Sequence, residues 1–155
     1  MRSIPALSAA DLEIIAFDLN QQSFCVLTNS IREIRGWATV TPLPRTTSEI
    51  LGVMNLRGSV IPIIDLAAKL GMPTAVPTER SAIVVAQARS TTVGLMVDRV
   101  SDILSVSLED LQPVPAVAEP ATGSYAIGVF NRDQNLSCLL DIDAIFASSQ
   151  ELPQF

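Results

Sequence analysis

Histidine, the side chain most often used for proton chemistry near neutral pH, is absent from this sequence. Its absence removes a phosphohistidine relay, imidazole acid–base catalysis and any histidine metal site. The two cysteines, Cys25 and Cys138, each sit in an apolar run and form no Cys-x-x-Cys pair, so they read as buried free thiols. Asp98 and Asp102 lie four residues apart, and Asp141 and Asp143 flank Ile142. Calcium or magnesium needs more oxygens than either pair offers, whereas a helix cap at Asp141 or Asp143 needs one. No Gly-rich phosphate loop, Gly-x-Ser-x-Gly elbow or nucleophilic cysteine context occurs. The sequence therefore predicts no catalytic, metal-binding or cofactor-binding set, and no enzyme.

One polar side chain stands apart. Arg57 interrupts the stretch Ile50 to Met72, ILGVMNLRGSVIPIIDLAAKLGM, as a permanently charged fork between two strongly apolar runs. It must be paired internally, to a carboxylate such as Asp65, or offered to a partner. The elements around it are legible. Val53, Met54 and Leu56 lead to Arg57-Gly58, and Val60, Ile61, Ile63 and Ile64 follow, which predicts two strands joined at a turn that Gly58 makes accessible. Pro62 cannot donate to a ladder, so the second strand should lie at an edge or carry a bulge. Asp65 should cap a short helix over residues 66–70, ended by Gly71 and Pro73.

The rest of the chain is mostly short strands. Residues 13–19 and 23–28 alternate around Asn20-Gln21-Gln22 as a hairpin; 81–86 and 92–97 make another across Arg89-Ser90; 100–106 continues that sheet; 125–130 and 136–140 make the last. Ser30 is expected to cap a helical turn over 31–34 that Gly36 ends, and Trp37 to Thr41 to form a strand before Pro42 and Pro44. Trp37 is either an exposed anchor for a partner or the closure of a barrel end. Ser107 should cap a turn, residues 112–124 form a loop, and Ile142, Ile145 and Phe146 mark the buried face of a closing helix. Strand length and turn spacing suggest sandwich or barrel geometry in an all-β protein. The Pro- and Thr-rich stretch 73–80 suggests two barrels, about 13–76 and 77–146, between tails 1–12 and 147–155, with the first strand free to stay or cross over.

The chain has 155 residues, 48% of them hydrophobic and 17% charged, enough to fold. No apolar run reaches the roughly 18 to 20 residues of a membrane span, and the first residues lack a signal-peptide pattern, so no membrane insertion and a cytoplasmic location are expected. The net charge is −6, nine of the ten basic residues are Arg, and only seven residues are aromatic. Without a basic cluster, nucleic acid is not a partner.

Three ordered segments carry a resemblance. ILGVMNLRGSVIPIIDLAAKLGM resembles the signature of the CheW-like domain family, the coupling module of bacterial chemosensory arrays; IREIRGWATVTPLP (31–44) resembles its first-subdomain segment, and VGLMVDRVSDILSV (93–106) its second-subdomain hairpin and following strand. The likeness runs from about Glu13 to Phe146. It implies two SH3-like five-stranded β-barrels with short helices, packed over a shared apolar interface with a groove between them. It implies a non-catalytic adaptor, without cofactor, bridging a chemoreceptor's cytoplasmic tip to the regulatory domain of a CheA-type histidine kinase, with self-association in array rings, at membrane-associated arrays. Carried over to this chain, the kinase surface would include Ile31, Glu33 and Gly52. The receptor surface would include Arg57 and, as candidates for a groove wall, Val93, Val97 and Val100. Each of these also has a structural alternative: Ile31 and the valines in the core, Glu33 solvated, Gly52 in a bulge. A different class remains open, a small β-barrel ligand binder or enzyme subunit, which requires a concave pocket with converging polar groups.

Overall fold

A computed structural model describes residues 11–38, 40–44, 49–73, 76–88, 90–114, 125–132 and 135–147. Most of the predicted tails, residues 45–48 within the first half, and most of the predicted loop 112–124 lie outside these; Asp11 and Leu12, predicted as tail, begin the first strand, and Ala147 ends the last helix.

Among the described residues eleven strands form two sheets. β1 (Asp11–Leu19), β2 (Gln22–Leu27), β8 (Arg99–Ser107), β9 (Leu111–Gln112), β10 (Ala126–Arg132) and β11 (Asn135–Leu140) make one, in the order β8-β1-β2-β11-β10-β9. β3 (Ile31–Gly36), β4 (Ile50–Leu56), β5 (Ser59–Asp65), β6 (Ala82–Ala88) and β7 (Thr91–Val97) make the other, in the order β3-β6-β7-β5-β4. We call the β3–β7 sheet the first and the other the second. Both share a pattern in which two antiparallel hairpins are joined side by side through one parallel step, β5 on β7 and β11 on β2. This is the expected pair of SH3-like units, with the two-residue β9 as a sixth strand of the second.

The predicted boundary near residue 77 does not separate the sheets. β6 and β7 belong with the first-half strands, while β1 and β2 cross to the second sheet. Burial explains the crossing. Ile15, Phe17, Leu19, Phe24 and Val26 face a seam between the sheets that also contains Ile64, Val84, Val93, Leu95 and Val97. Leu12, Ile14, Ala16 and Cys25 face the second sheet's own interior, with Val106, Phe130 and Leu139. Strands buried on both faces lose their alternation and read as continuous apolar runs. The first sheet has a separate interior of Met54, Ile61, Ile63, Ile83, Val85 and Met96.

Two helices close the seam. Asp65 caps α1 (Leu66–Lys69) by accepting from the Ala68 N–H (3.3 Å), and Gly71 leaves it at φ +79°. Asp141 caps α2 (Ile142–Ala147) by accepting from the Ala144 N–H (3.2 Å), and Ile142, Ile145 and Phe146 bury into the seam. Ser107 caps the single 3-10 turn at Leu108–Asp110.

Several local expectations need correction. Residues 31–34 are strand, not helix, and the helical turn lies one step earlier at Thr28–Ser30. One helical turn gains little in isolation, whereas β3 gains a ladder on β6. Of the predicted strand 37–41, residue 39 lies outside the described residues, residues 37, 38 and 40 are not strand, and Thr41 bridges Val53. Trp37 is half-buried against the first sheet's interior, where it closes the barrel end. β5 is an interior strand despite Pro62. Val53, opposite Pro62, spends its own N–H and C=O on Thr41, and β5's pairing with β7 begins only at Ile63, so no ladder bond is demanded of Pro62.

Both cysteines are free. Burial pushes the Cys25 thiol up to about 12, partly offset by a hydrogen bond with Ser137, and the Cys138 thiol up to about 11. Neither is a nucleophile at neutral pH.

Candidate functional site

Arg57 and Gly58 are the two central residues of the β4–β5 turn. Both are left-handed, at φ +52° and +87°, as a two-residue type I′ hairpin demands. The Asn55 side chain accepts the Gly58 N–H at 2.8 Å and fixes the turn. Arg57 is thereby held outward, with its side chain 73% exposed, and its guanidinium meets Glu33 of β3 at 2.6 Å.

That contact joins opposite ends of a sheet. β3 and β4 are the two edges of the order β3-β6-β7-β5-β4, so the pairing requires the sheet to curl until its ends meet. The pair lies at the mouth of the resulting barrel, beside a recess of about 440 Å³ lined by Arg32, Glu33, Leu56, Arg57, Ser59, Ile61 and Thr92. Arg35, two residues along β3 and so on the same side as Glu33, adds a second contact at 3.3 Å. Arg32 is bonded to Gln87. Two guanidiniums thus hold the Glu33 carboxylate, and Arg32 lines the same recess. The Arg57 hydrogen bond, with a smaller contribution from Arg35, holds the Glu33 carboxyl below the usual glutamate range. Such a cluster can present fixed charge and hydrogen-bond donors to another protein.

The other predicted residues fall elsewhere. Ile31 is half-buried and packs against the seam. Gly52 is buried at a register shift in β4, at φ +150°, and a Cβ there would stand 2.1 Å from the Thr41 carbonyl oxygen. Its glycine is required by the chain's own Thr41–Pro42 segment. Val93 and Val97 are fully buried in the seam; Val100 is half-buried at its margin. Asp65 is 1% exposed and does not pair with Arg57, which lies at the opposite end of β5. Burial raises its carboxyl above the usual range, against the capping hydrogen bonds that lower it.

Arg35, Arg32 and Gln87 were not anticipated. Reading 31–36 as strand would have placed Glu33 and Arg35 on one side, which is the signal the helical reading hid.

The second sheet holds a larger recess, about 950 Å³, floored by β1 and β2 and walled by β8 and by β10–β11. Its polar groups are largely satisfied among themselves: Ser23 bonds Ser137 at 2.9 Å, and Arg99 pairs with Asp18 at 3.0 Å.

Comparison with known proteins agrees with the geometry. The CheW-like domain matches residues 13–150. A "Probable chemotaxis protein CheW" of Rhizobium etli is 46% identical over 148 residues, covering 96% of each chain, and the "Chemotaxis protein CheW" of Rhizobium meliloti is 49% identical over 138 residues, covering 89% of each. The crystal structure of the scaffolding protein TtCheW from Thermoanaerobacter tengcongensis superposes with a TM-score of 0.82 at 23% identity, covering 92% of this chain and 97% of that one. Among the described residues no helix is long and apolar enough to cross a membrane.

Proposed function

The chain belongs to the CheW-like domain family, and on that footing we propose that it couples a chemoreceptor's cytoplasmic tip to the regulatory domain of a CheA-type histidine kinase. It does so by binding both, without chemistry of its own, in arrays at the cytoplasmic face of the membrane. Two relatives named as chemotaxis proteins, matched over nearly their whole length, support the reading.

The observation that carries the site is the solvent-facing Arg57–Glu33 pair across the first barrel's mouth. The kinase-facing Glu33 and receptor-facing Arg57 become neighbouring parts of one surface, with half-buried Ile31 anchoring β3 beneath it and Val100 at the margin of the seam. A partner that draws either side chain away changes what the other partner meets, which is a coupling free energy in its simplest form.

Pull-downs with both baits from one genome, using wild type, Arg57→Ala and Glu33→Ala, test this. Arg57→Ala should release the receptor tip and Glu33→Ala the kinase domain, each variant melting like wild type. Retention of both partners by both variants would move the contact away from the barrel mouth. Failure of the wild type to hold either bait would remove the coupling reading for those partners.

A further inference from the structure

Among the described residues the second sheet has a longer free edge than the first. β3, the first sheet's counterpart of β8, also pairs with one strand only but is six residues long, and β4 at the other edge is partly covered by the Thr41–Val53 bridge. β8 runs for nine residues, pairs with β1 only, and has just one buried residue, Val106. Long uncovered edges are templates for another strand unless guarded.

β8 is guarded by one side chain. The Ile103 N–H donates to the carboxylate of its own neighbour Asp102 (2.9 Å), which marks that N–H as available away from β1. Ile103 is 56% exposed. Directly beside this edge lies the 950 Å³ recess, with Leu104 and Val106 on the β8 wall and Val129 and Phe130 across it on β10. On its outer side β10 pairs with β9 only at those two residues. Among the described residues, no strand fills the gap between β8 and β10.

Charge selects the visitor. Residues 31–97, which hold the first sheet, contain seven basic and four acidic residues, a balance of +3; the remaining residues contain three basic and twelve acidic, a balance of −9. Asp102 stands at the rim.

We propose that the β8 edge and its recess accept an extended segment of a partner protein, alternating apolar and basic residues. Its apolar side chains enter the recess, its backbone pairs with β8, and a Lys or Arg draws the Asp102 carboxylate off the Ile103 N–H. This is strand addition of the kind in which the backbone ladder gives affinity and alternate side chains give register. The surface is separate from the Arg57–Glu33 mouth and does not depend on the coupling reading.

The probe is a capped, fluorescein-labelled octapeptide of alternating Val and Lys, with three controls: the same composition as a Val block and a Lys block, a Val–Glu alternation, and the Val–Lys peptide N-methylated at alternate amides. Anisotropy titrations are run on full-length protein, wild type, Asp102→Lys and Ile103→Pro, with amide chemical-shift mapping of the wild type. The proposal expects the alternating basic peptide to bind with shifts centred on Ile103 and Leu104. It expects about ten-fold or greater weakening for every control peptide and for both variants. Equal binding of the block peptide would mean a diffuse electrostatic film and would overturn it, as would full affinity of the N-methylated peptide or no binding by the wild type. The N-methylated peptide decides the ladder even if Ile103→Pro does not fold.

Discussion

The two sheets share one strand pattern and differ in how completely they close. The first curls until its β4–β5 turn meets β3 through Arg57 and Glu33, and its interior is filled by Met54, Ile61, Ile63, Ile83, Val85 and Met96. The second leaves a 950 Å³ recess between β8 and β10, and among the described residues its nine-residue β8 edge pairs with β1 only. What separates them is the covering of the edge. In the first sheet the segment from Trp37 to Thr41 packs under the barrel and bridges Val53, so β4 is backed by its own chain. In the second, the corresponding cover is the two-residue β9. Topology sets which strands are neighbours, and the connecting segments decide whether a sheet ends as a closed platform or an open trough.

The largest contrast should come from two glycines that accommodate those covers. At Gly52 an added Cβ meets the Thr41 carbonyl oxygen at 2.1 Å, on a segment tied to β4 by two backbone hydrogen bonds of 2.9 Å, and φ is +150°. At Gly128 the obstacle is the Gln112 carbonyl oxygen at 2.7 Å, on β9, which two residue pairs hold in place. Gly52→Ala is expected to cost about 3 kcal/mol or more, combining strain with overpacking, and Gly128→Ala about 1 kcal/mol. Urea midpoints measure both. A Gly128 variant as damaging as the Gly52 variant would mean that β9 is as firm a cover as Thr41.

The interiors give the next contrast. A Cβ at Gly94 would come within 2.6 Å of Ile63 Cδ1 and 2.8 Å of Ile83 Cγ2, so Gly94→Ala should cost about 1–3 kcal/mol in the filled first sheet. Ala16→Val adds methyl groups to the wall of the second sheet's recess and should leave the midpoint unchanged or raise it. If Ala16→Val destabilises as much as Gly94→Ala, the second interior is packed as tightly as the first.

Most of this architecture was legible from the sequence, and its limits have physical causes. The Asn20-Gln21 and Arg57-Gly58 turns, the Asp65 and Asp141 caps and the closing helix are local chemistry and could be read in place. The crossing of β1 and β2 could not, because a strand buried on both faces, such as Glu13 to Leu19, has apolar side chains toward either sheet and nothing in its pattern says which sheet owns it. Arg57 was singled out by being a charge between apolar runs. Its partner was not, because Glu33 is 24 residues upstream on the opposite edge of the sheet and is joined to it only by barrel closure. For Gly52 the partner-surface and bulge readings stand side by side in the sequence, because a glycine required by the chain's own packing and one required by a partner look alike there; the register shift at Gly52 supplies the bulge.

At the seam between the sheets, Asp65 predicts a smaller effect. Its carboxyl is raised by burial, so between the ordinary Asp range and its own value the folded protein holds the proton more tightly than the unfolded chain. Stability should therefore fall as pH rises through that window. Asp65→Asn should keep the cap on α1 and lose this slope, while Asp65→Ala loses the cap as well, at about 1 kcal/mol. Urea midpoints from about pH 4 to about pH 7 show both effects. An unchanged slope in the Asn variant would assign it to another group.

The smallest effect on stability belongs to the pair most exposed to a partner. Glu33 is the opposite case to Asp65: its folded carboxyl is depressed, chiefly by the Arg57 hydrogen bond. What it contributes is present above the ordinary glutamate range and is lost as pH falls through the depressed value. Because Arg57 is largely in water, Arg57→Ala should leave the melting temperature essentially unchanged. It should nevertheless move the Glu33 titration, followed by carboxyl-carbon NMR, upward toward the ordinary range, with the remaining depression due to Arg35. A Glu33 titration unmoved by Arg57→Ala would mean that the pair does not persist in solution, and the first barrel's mouth would then be as open as the second sheet's edge. A moved titration with an unmoved melting temperature would show a contact that closes the barrel mouth yet contributes little to the fold, and that a partner can therefore open at little energetic cost.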